Sequence, residues 1–171
     1  DADLDNAVNM ATKAAFSNQG QICLCGSRLF VQESIYNDFR SAIIEETKTL
    51  QVGDPQDEKS NLGAVVSKEH MDKILSCIEL AKEEGGEILT GGNRLLLNGD
   101  LKDGYYIEPT IIDGLSVDCK TNREEIFGPV VAIIPFKTEE EVIEMANSTK
   151  YGLSASIFTR DISRAHRVAA A

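Results

Sequence analysis

The sequence predicts an α/β fold, a mainly parallel sheet covered by helices on both faces. Three observations predict it. Segments of helical and of strand spacing alternate along the chain, the pattern of helices crossing over between parallel strands. Val130 to Phe136 is almost wholly apolar, as a strand buried on both faces is. The chain of 171 residues, 42% of them hydrophobic, supplies one core and one domain.

Asp1, Asp3 and Asp5 stand where the first turn of a helix favours negative charge. Leu4, Val8, Ala11 and Ala15 then recur at helical spacing, so a helix is expected as far as Gly20. Arg28 to Gln32 is a short strand. Ser34 is a good N-cap for a second helix with Ile35, Phe39, Ile43 and Leu50 on one stripe, ended by Gly53-Asp54-Pro55. Leu62 to Val66 is a short apolar run. Ser67 caps a third helix that carries Met71, Ile74, Leu75 and Ile78 and stops at Gly85-Gly86. Glu87 to Thr90 is a further strand, Gly91 to Gly104 a polar surface excursion, and Tyr105 to Ile112 a run that Pro109 makes irregular or places at an edge. After Val130–Phe136, Thr138-Glu139-Glu140-Glu141 is a capping box opening a helix to about Asn147. Gly152 to Thr159 returns as a strand, and Ser163 caps a last helix.

The net charge of -11 argues against nucleic acid or an anionic membrane surface as partner, and no apolar run approaches the roughly 18 residues of a membrane span. A small metabolite is the more natural partner. The four cysteines, at 23, 25, 77 and 119, show no C-x-x-C pair, and no signal segment opens the chain. A reducing, cytoplasmic setting is therefore expected.

The chemistry concentrates in Phe16-Ser17-Asn18-Gln19-Gly20-Gln21-Ile22-Cys23-Leu24-Cys25-Gly26-Ser27-Arg28. A thiol is set just past a helix-ending Gly and just before a strand, with Gly20 and Gly26 free to turn the backbone and aim N–H groups at whatever the sulfur attacks. Arg28 follows close by. A thiol is a nucleophile only as thiolate, and an unperturbed pKa of about 8.5 leaves a few per cent ionised near neutral pH. The bland alternative, a buried small hydrophobe, fits most free cysteines; the Gly-Gln-x-Cys context argues for the nucleophile. Cys23 and Cys25 as metal ligands or a redox pair is the weaker alternative, since neither His70 nor His166 stands at ligand spacing, and no metal is expected. Cys77 and Cys119 read as structural or incidental.

The second constellation is Arg123-Glu124-Glu125-Ile126-Phe127-Gly128-Pro129-Val130. It puts a carboxylate and a ring on a turn entering a buried strand, where the sheets of α/β proteins meet ligands. Such a carboxylate can accept two hydrogen bonds from a ribose diol, and the ring can lie against a planar heterocycle. The alternative is an acidic loop with Phe127 as core filler.

Together these segments resemble the aldehyde dehydrogenase superfamily, and the resemblance runs from Asp3-Leu4-Asp5 to Arg164-Ala165-His166-Arg167. Asn18-x-Gly20-Gln21-x-Cys23 and Glu125-Ile126-Phe127-Gly128-Pro129 are similar to that family's two best-known catalytic-domain segments, in its order and at its separation. Ile22-Cys23-Leu24-Cys25 and Phe30-Val31-Gln32 look most like the 2-aminomuconate and 2-hydroxymuconate semialdehyde dehydrogenase group, with betaine-aldehyde and retinal-type enzymes as neighbours.

The resemblance implies an oxidoreductase that turns an aldehyde into a carboxylic acid with NAD, NADP not excluded. Cys23 would form a thiohemiacetal and then a thioester, with its own N–H as one oxyanion donor. Glu125 would hold the nicotinamide ribose, Phe127 would contact the nicotinamide side, and His70 and Lys73 would fall near the adenosine half. Ile22 and Leu24 would line the substrate tunnel. It also implies that the dinucleotide-binding domain, the general base in a Glu-Leu-Gly-Gly-Lys segment, the oxyanion Asn and a subunit-pairing tail lie outside residues 1–171. The chain is accordingly expected to be one catalytic domain of a longer, homo-oligomeric protein and inactive as a dehydrogenase by itself. Two rival functions remain beside it, a cofactor-independent thiol esterase and a non-catalytic structural derivative of the fold.

Overall fold

A computed structural model describes residues 1–171. The elements run α1 (Leu4–Phe16), β1 (Arg28–Gln32), α2 (Tyr36–Lys48), α3 (Lys68–Glu83), β2 (Glu87–Thr90), β3 (Arg94–Leu95), β4 (Tyr106–Ile107), β5 (Thr110–Asp113), α4 (Lys120–Arg123), β6 (Val130–Phe136), α5 (Glu139–Ala146) and α6 (Ile162–Ala169). The main sheet has the order β1-β6-β5-β2. β6 pairs parallel with both β1 and β5, and β2 closes the far edge antiparallel to β5. The predicted fold class is the one observed.

The alternation of side chains on β6 explains why its sequence is apolar throughout. Val131 and Ile133 join Ile111 on one face, where Ala11, Ala15 and Phe16 of α1 and Phe39 and Ile43 of α2 cover them. Val130 and Ala132 join Ile112 on the other face, under Met71, Ile74 and Ile78 of α3. A strand with helices on both sides has no polar face to show.

The caps follow the sequence in part. Asp3 accepts from Asn6 N–H at the start of α1, Ser67 from His70 N–H at the start of α3, and Thr138 with Glu141 forms the expected capping box on α5. Ser34 instead lies inside a 3-10 turn, Glu33–Ile35, and α2 starts without a side-chain cap. At α6 the cap is Asp161, whose carboxylate takes both Ser163 N–H and Arg164 N–H, so Ser163 is capped rather than capping. An ionised acceptor beside two orphan N–H groups outcompetes a hydroxyl.

Two expected elements come out differently. The first helix ends at Phe16, not Gly20. In the short apolar run that begins at Leu62, Leu62 makes a single bridge to Val52. Gly152 to Thr159 has no strand partner, and Leu153, Ile157 and Phe158 along it stay exposed. Strand-type spacing makes no strand without a neighbour to bond. Pro109 does interrupt the run from Tyr105, separating β4 from β5, yet β5 is an inner strand. The excursion from Gly91 to Gly104 folds back through a small sheet of β3 and β4.

Candidate active site

Beyond Phe16 the backbone turns through three consecutive left-handed residues, Asn18 (φ 50°), Gln19 (φ 57°) and Gly20 (φ 69°). Each such residue bearing a Cβ costs roughly 1–2 kcal/mol, so the turn needs its surroundings to hold it. Asn18 Nδ2 donates to Gln21 O at 3.2 Å, and Gln21 N–H donates to Asn18 O at 3.0 Å. Gln21 Oε1 accepts from Val66 N–H at 3.1 Å, tying the loop to the chain just before α3. At Gly20 contact decides the residue as well as φ. A Cβ there would stand 2.0 Å from Gly128 O and 2.4 Å from Gly128 C. The two segments singled out in the sequence therefore meet backbone to backbone.

Cys23 follows in a turn closed by Cys25 N–H on Ile22 O at 3.0 Å, and it is exposed. Its own N–H donates to no group of the chain. Ile22 and Leu24 flank it, also exposed, at 37% and 59%. Cys25, Cys77 and Cys119 are half-buried, and burial pushes each of those thiols above the ordinary range. The Cys25 thiol donates to Ser17 O at 3.7 Å. Two of the expected helpers are occupied elsewhere. Gly26 N–H donates to Ala14 O at 3.1 Å. Arg28 reaches Met145 O and Ala146 O, each at 3.0 Å, and so caps the carboxyl end of α5.

The segment Glu125–Pro129 feeds the amino end of β6. The Glu125 side chain is exposed, Ile126 is buried, and Phe127 is half-buried with φ 61°. Lys73 Nζ donates to Glu125 O and to Ile126 O, both at 3.0 Å. His70 Nε2 stands 2.6 Å from Phe127 O, with the two rings edge to face at 6.2 Å. Gly128 rests on α3, where a Cβ would come within 2.6 Å of Ile74 Cδ1. The four residues expected to bind the cofactor thus come together, Glu125 and Phe127 on the turn and His70 and Lys73 reaching its backbone from α3. The sequence signal for this was their helical spacing on α3; nothing in the sequence named carbonyls as their targets.

Both segments precede adjacent parallel strands, β1 and β6, and so lie at the amino edge of the sheet. Open α/β sheets usually bind ligands beyond the carboxyl ends of their strands. The two candidate segments lie at the opposite edge, where the loops before β1 and β6 adjoin each other as the strands do. No group of three or more His, Cys, Asp or Glu side chains is placed to hold a metal. No helix is long and apolar enough to cross a membrane.

The arrangement is an exposed thiol with a free N–H, packed through glycines against a carboxylate-bearing turn on an α/β domain, the set of parts that covalent thiol chemistry requires. The chain belongs to the aldehyde dehydrogenase family, whose pattern matches residues 1–171. It is 48% identical over 171 residues to 4-trimethylaminobutyraldehyde dehydrogenase A of Danio rerio, covering 99% of this chain and 34% of that protein. It is 43% identical, over 99% of its length and 35% of the relative's, to 2-aminomuconic semialdehyde dehydrogenase of Mus musculus. The crystal structure of betaine aldehyde dehydrogenase from Staphylococcus aureus in complex with NAD+ superposes with a TM-score of 0.96 at 42% identity, over 99% of this chain and 34% of that one. The chain thus spans about a third of the length of these relatives.

Proposed function

We propose that the chain carries the nucleophile and part of the cofactor clamp of an NAD-dependent aldehyde dehydrogenase. The observation that carries this reading is the contact between the Cys23 loop and the Glu125–Pro129 turn through Gly20 and Gly128. It sets a thiol and a candidate ribose-binding carboxylate on one support.

Cys23 attacks the aldehyde carbon, its sulfur forming the new bond while the carbonyl oxygen takes the electron pair. The free N–H of Cys23 donates to that oxygen as charge builds, one half of an oxyanion site. Oxidation of the thiohemiacetal leaves a thioester on Cys23, and water releases the carboxylic acid. Splitting the reaction lowers each barrier. NAD+, when bound, supplies the hydride acceptor. The residues fit it: Glu125 is exposed and its carboxylate has no partner in the chain, and Phe127, two residues on, is only half-buried. Glu125 accepts from the ribose hydroxyls and Phe127 covers the nicotinamide side. Ile22 and Leu24 form the apolar wall next to the sulfur. The base that activates the hydrolytic water, the oxyanion Asn and the dinucleotide domain fall to segments outside residues 1–171.

Support for this reading comes from relatives named as dehydrogenases of aldehydes, one of them holding NAD+. Neither the esterase nor the structural alternative has comparable support. A cytoplasmic homo-oligomer remains part of the proposal, resting on the free thiols and the family resemblance.

Glu125→Gln tests it in a protein of the relatives' length that carries this chain. The amide keeps the size and loses the charged acceptor, so hydride transfer slows on the order of a hundredfold, the cost of a displacement of about 1 Å. A deuterated aldehyde then shows a larger isotope effect on turnover, while alkylation of Cys23 stays at the parent rate. An unchanged isotope effect with unchanged NAD+ affinity sinks the cofactor role of Glu125.

A further inference from the structure

We infer that one buried water binds between the root of the Cys23 loop and the approach to the Glu125–Pro129 turn, bridging Arg28 to Asn122. The inference goes beyond the proposed chemistry and does not depend on it.

Asn122 lies on the short helix α4, three residues before Glu125, and is 5% exposed. Its Nδ2 donates to Ser116 O at 2.9 Å. That bond fixes which way the amide faces, because the reverse orientation would set two acceptors against each other. Its Oδ1 is buried and accepts from no group of the chain. A buried amide oxygen without a donor is costly, so the fold has reason to supply one.

Room for that donor lies beside it. Asn122 lines a cavity of about 20 Å³, together with Ser27 and Arg28 at the entry to β1 and Thr121, Glu124 and Ile126 ahead of β6. Apolar side chains of β5 and β6 make up the rest of the wall. One water needs about 10–15 Å³ and two to four polar partners. The partners are present. Arg28 spends two of its five guanidinium N–H groups on Met145 O and Ala146 O, which leaves three. Thr121 Oγ1 donates its hydrogen to Glu84 at 2.6 Å and keeps lone pairs free to accept.

The chemistry of this lining selects water. A water accepts from the Arg28 guanidinium, donates to Asn122 Oδ1, and has a second hydrogen for Thr121 Oγ1 or Ser27 Oγ. A cation would meet the Arg28 charge, and an anion would meet the Asn122 oxygen. The contact of Gly20 with Gly128 already joins the two segments through their backbones. The water adds a second link, from the first residue of β1 to α4, and makes Asn122 a positioning residue for the root of the Cys23 loop.

The test uses a protein of the relatives' length that carries this chain. A high-resolution crystal structure of the parent should show one peak in the cavity, within hydrogen-bond distance of both Asn122 Oδ1 and the Arg28 guanidinium. Asn122→Val removes the acceptor. Ala132→Val fills the cavity from β6 and leaves Asn122 with its bond to Ser116 O. Both should lose the peak and speed amide hydrogen exchange across residues 22–28 on the order of tenfold, the effect of one bridging bond. Faster exchange in Asn122→Val alone would trace the effect to Ser116 and overturn the bridge. A parent cavity closed by repacked side chains, or a peak that gains anomalous signal when crystals are soaked in rubidium chloride, also overturns it. If either variant fails to fold, the parent density still decides.

Discussion

Cys23 and Gly20 carry the site at the scale of single residues. Cys23 is the exposed thiol, whereas burial raises the pKa of Cys25, Cys77 and Cys119 and so lowers their thiolate fraction near neutral pH. Limiting iodoacetamide at neutral pH should therefore label Cys23 first, as mapped by mass spectrometry; labelling of Cys77 or Cys119 ahead of it would remove the nucleophile assignment. Gly20→Ala would drive a Cβ onto the Gly128 carbonyl while keeping a left-handed φ. Overpacking against backbone costs about 1–3 kcal/mol. The measured loss in a denaturant titration should fall in or above that range and should come with slower alkylation of Cys23 as its loop is displaced. A Gly20→Ala protein as stable as the parent would mean the two loops do not touch in solution.

Secondary structure was legible wherever local rules and burial agreed. β6 could be read because both of its faces are covered, and α5 because Thr138 and Glu141 cap each other reciprocally. The strand expected at Gly152 failed because its partner is not set by local sequence, and the end of α1 was missed because Asn18 and Gln19 adopt backbone conformations that composition does not announce. The thiol and the carboxylate were readable as motifs, but their meeting through Gly20 and Gly128 depends on the strand order. One element has a cap from another helix that no spacing rule would find. Glu84, at the end of α3, accepts from Lys120 N–H at 2.8 Å, Thr121 N–H at 3.1 Å and the Thr121 hydroxyl at 2.6 Å, and so starts α4. Burial alone would raise the Glu84 pKa, but these bonds outweigh it and hold it below the usual range. A depressed folded pKa contributes stability above the unfolded value of about 4.3, lost as the pH falls through the folded value. Glu84→Gln should thus lower the unfolding free energy at pH 7 by an amount typical of a lost cap, about 1 kcal/mol, and the gap to the parent should narrow below about pH 4. A gap independent of pH would show that charge is not involved.

At the scale of the molecule, this chain holds the Cys23 loop and the Glu125–Pro129 turn on one edge of the sheet, while Leu153, Ile157, Phe158 and Ile162 leave apolar surface facing solvent. Apolar surface of that kind favours association. The 171-residue chain by itself should form no NADH from aldehyde and NAD+ and should sediment as more than a monomer; NADH formation near the rate of a protein of the relatives' length would overturn the assignment of base and dinucleotide domain to other segments. The parallel pairing of β1 with β6 also bears on how the site comes into being. Arg28 lies opposite Ala132, so joining these strands closes a loop of roughly a hundred residues, and its entropy must be met before any contact rewards it. Long-range parallel pairing is slow for that reason. The helices can form early on local contacts, but Gly20 cannot meet Gly128 until the sheet zips. The contact between the Cys23 loop and the Glu125–Pro129 turn is then among the last the refolding chain makes, and a nascent polypeptide carries its exposed thiol before the carboxylate-bearing turn has joined it.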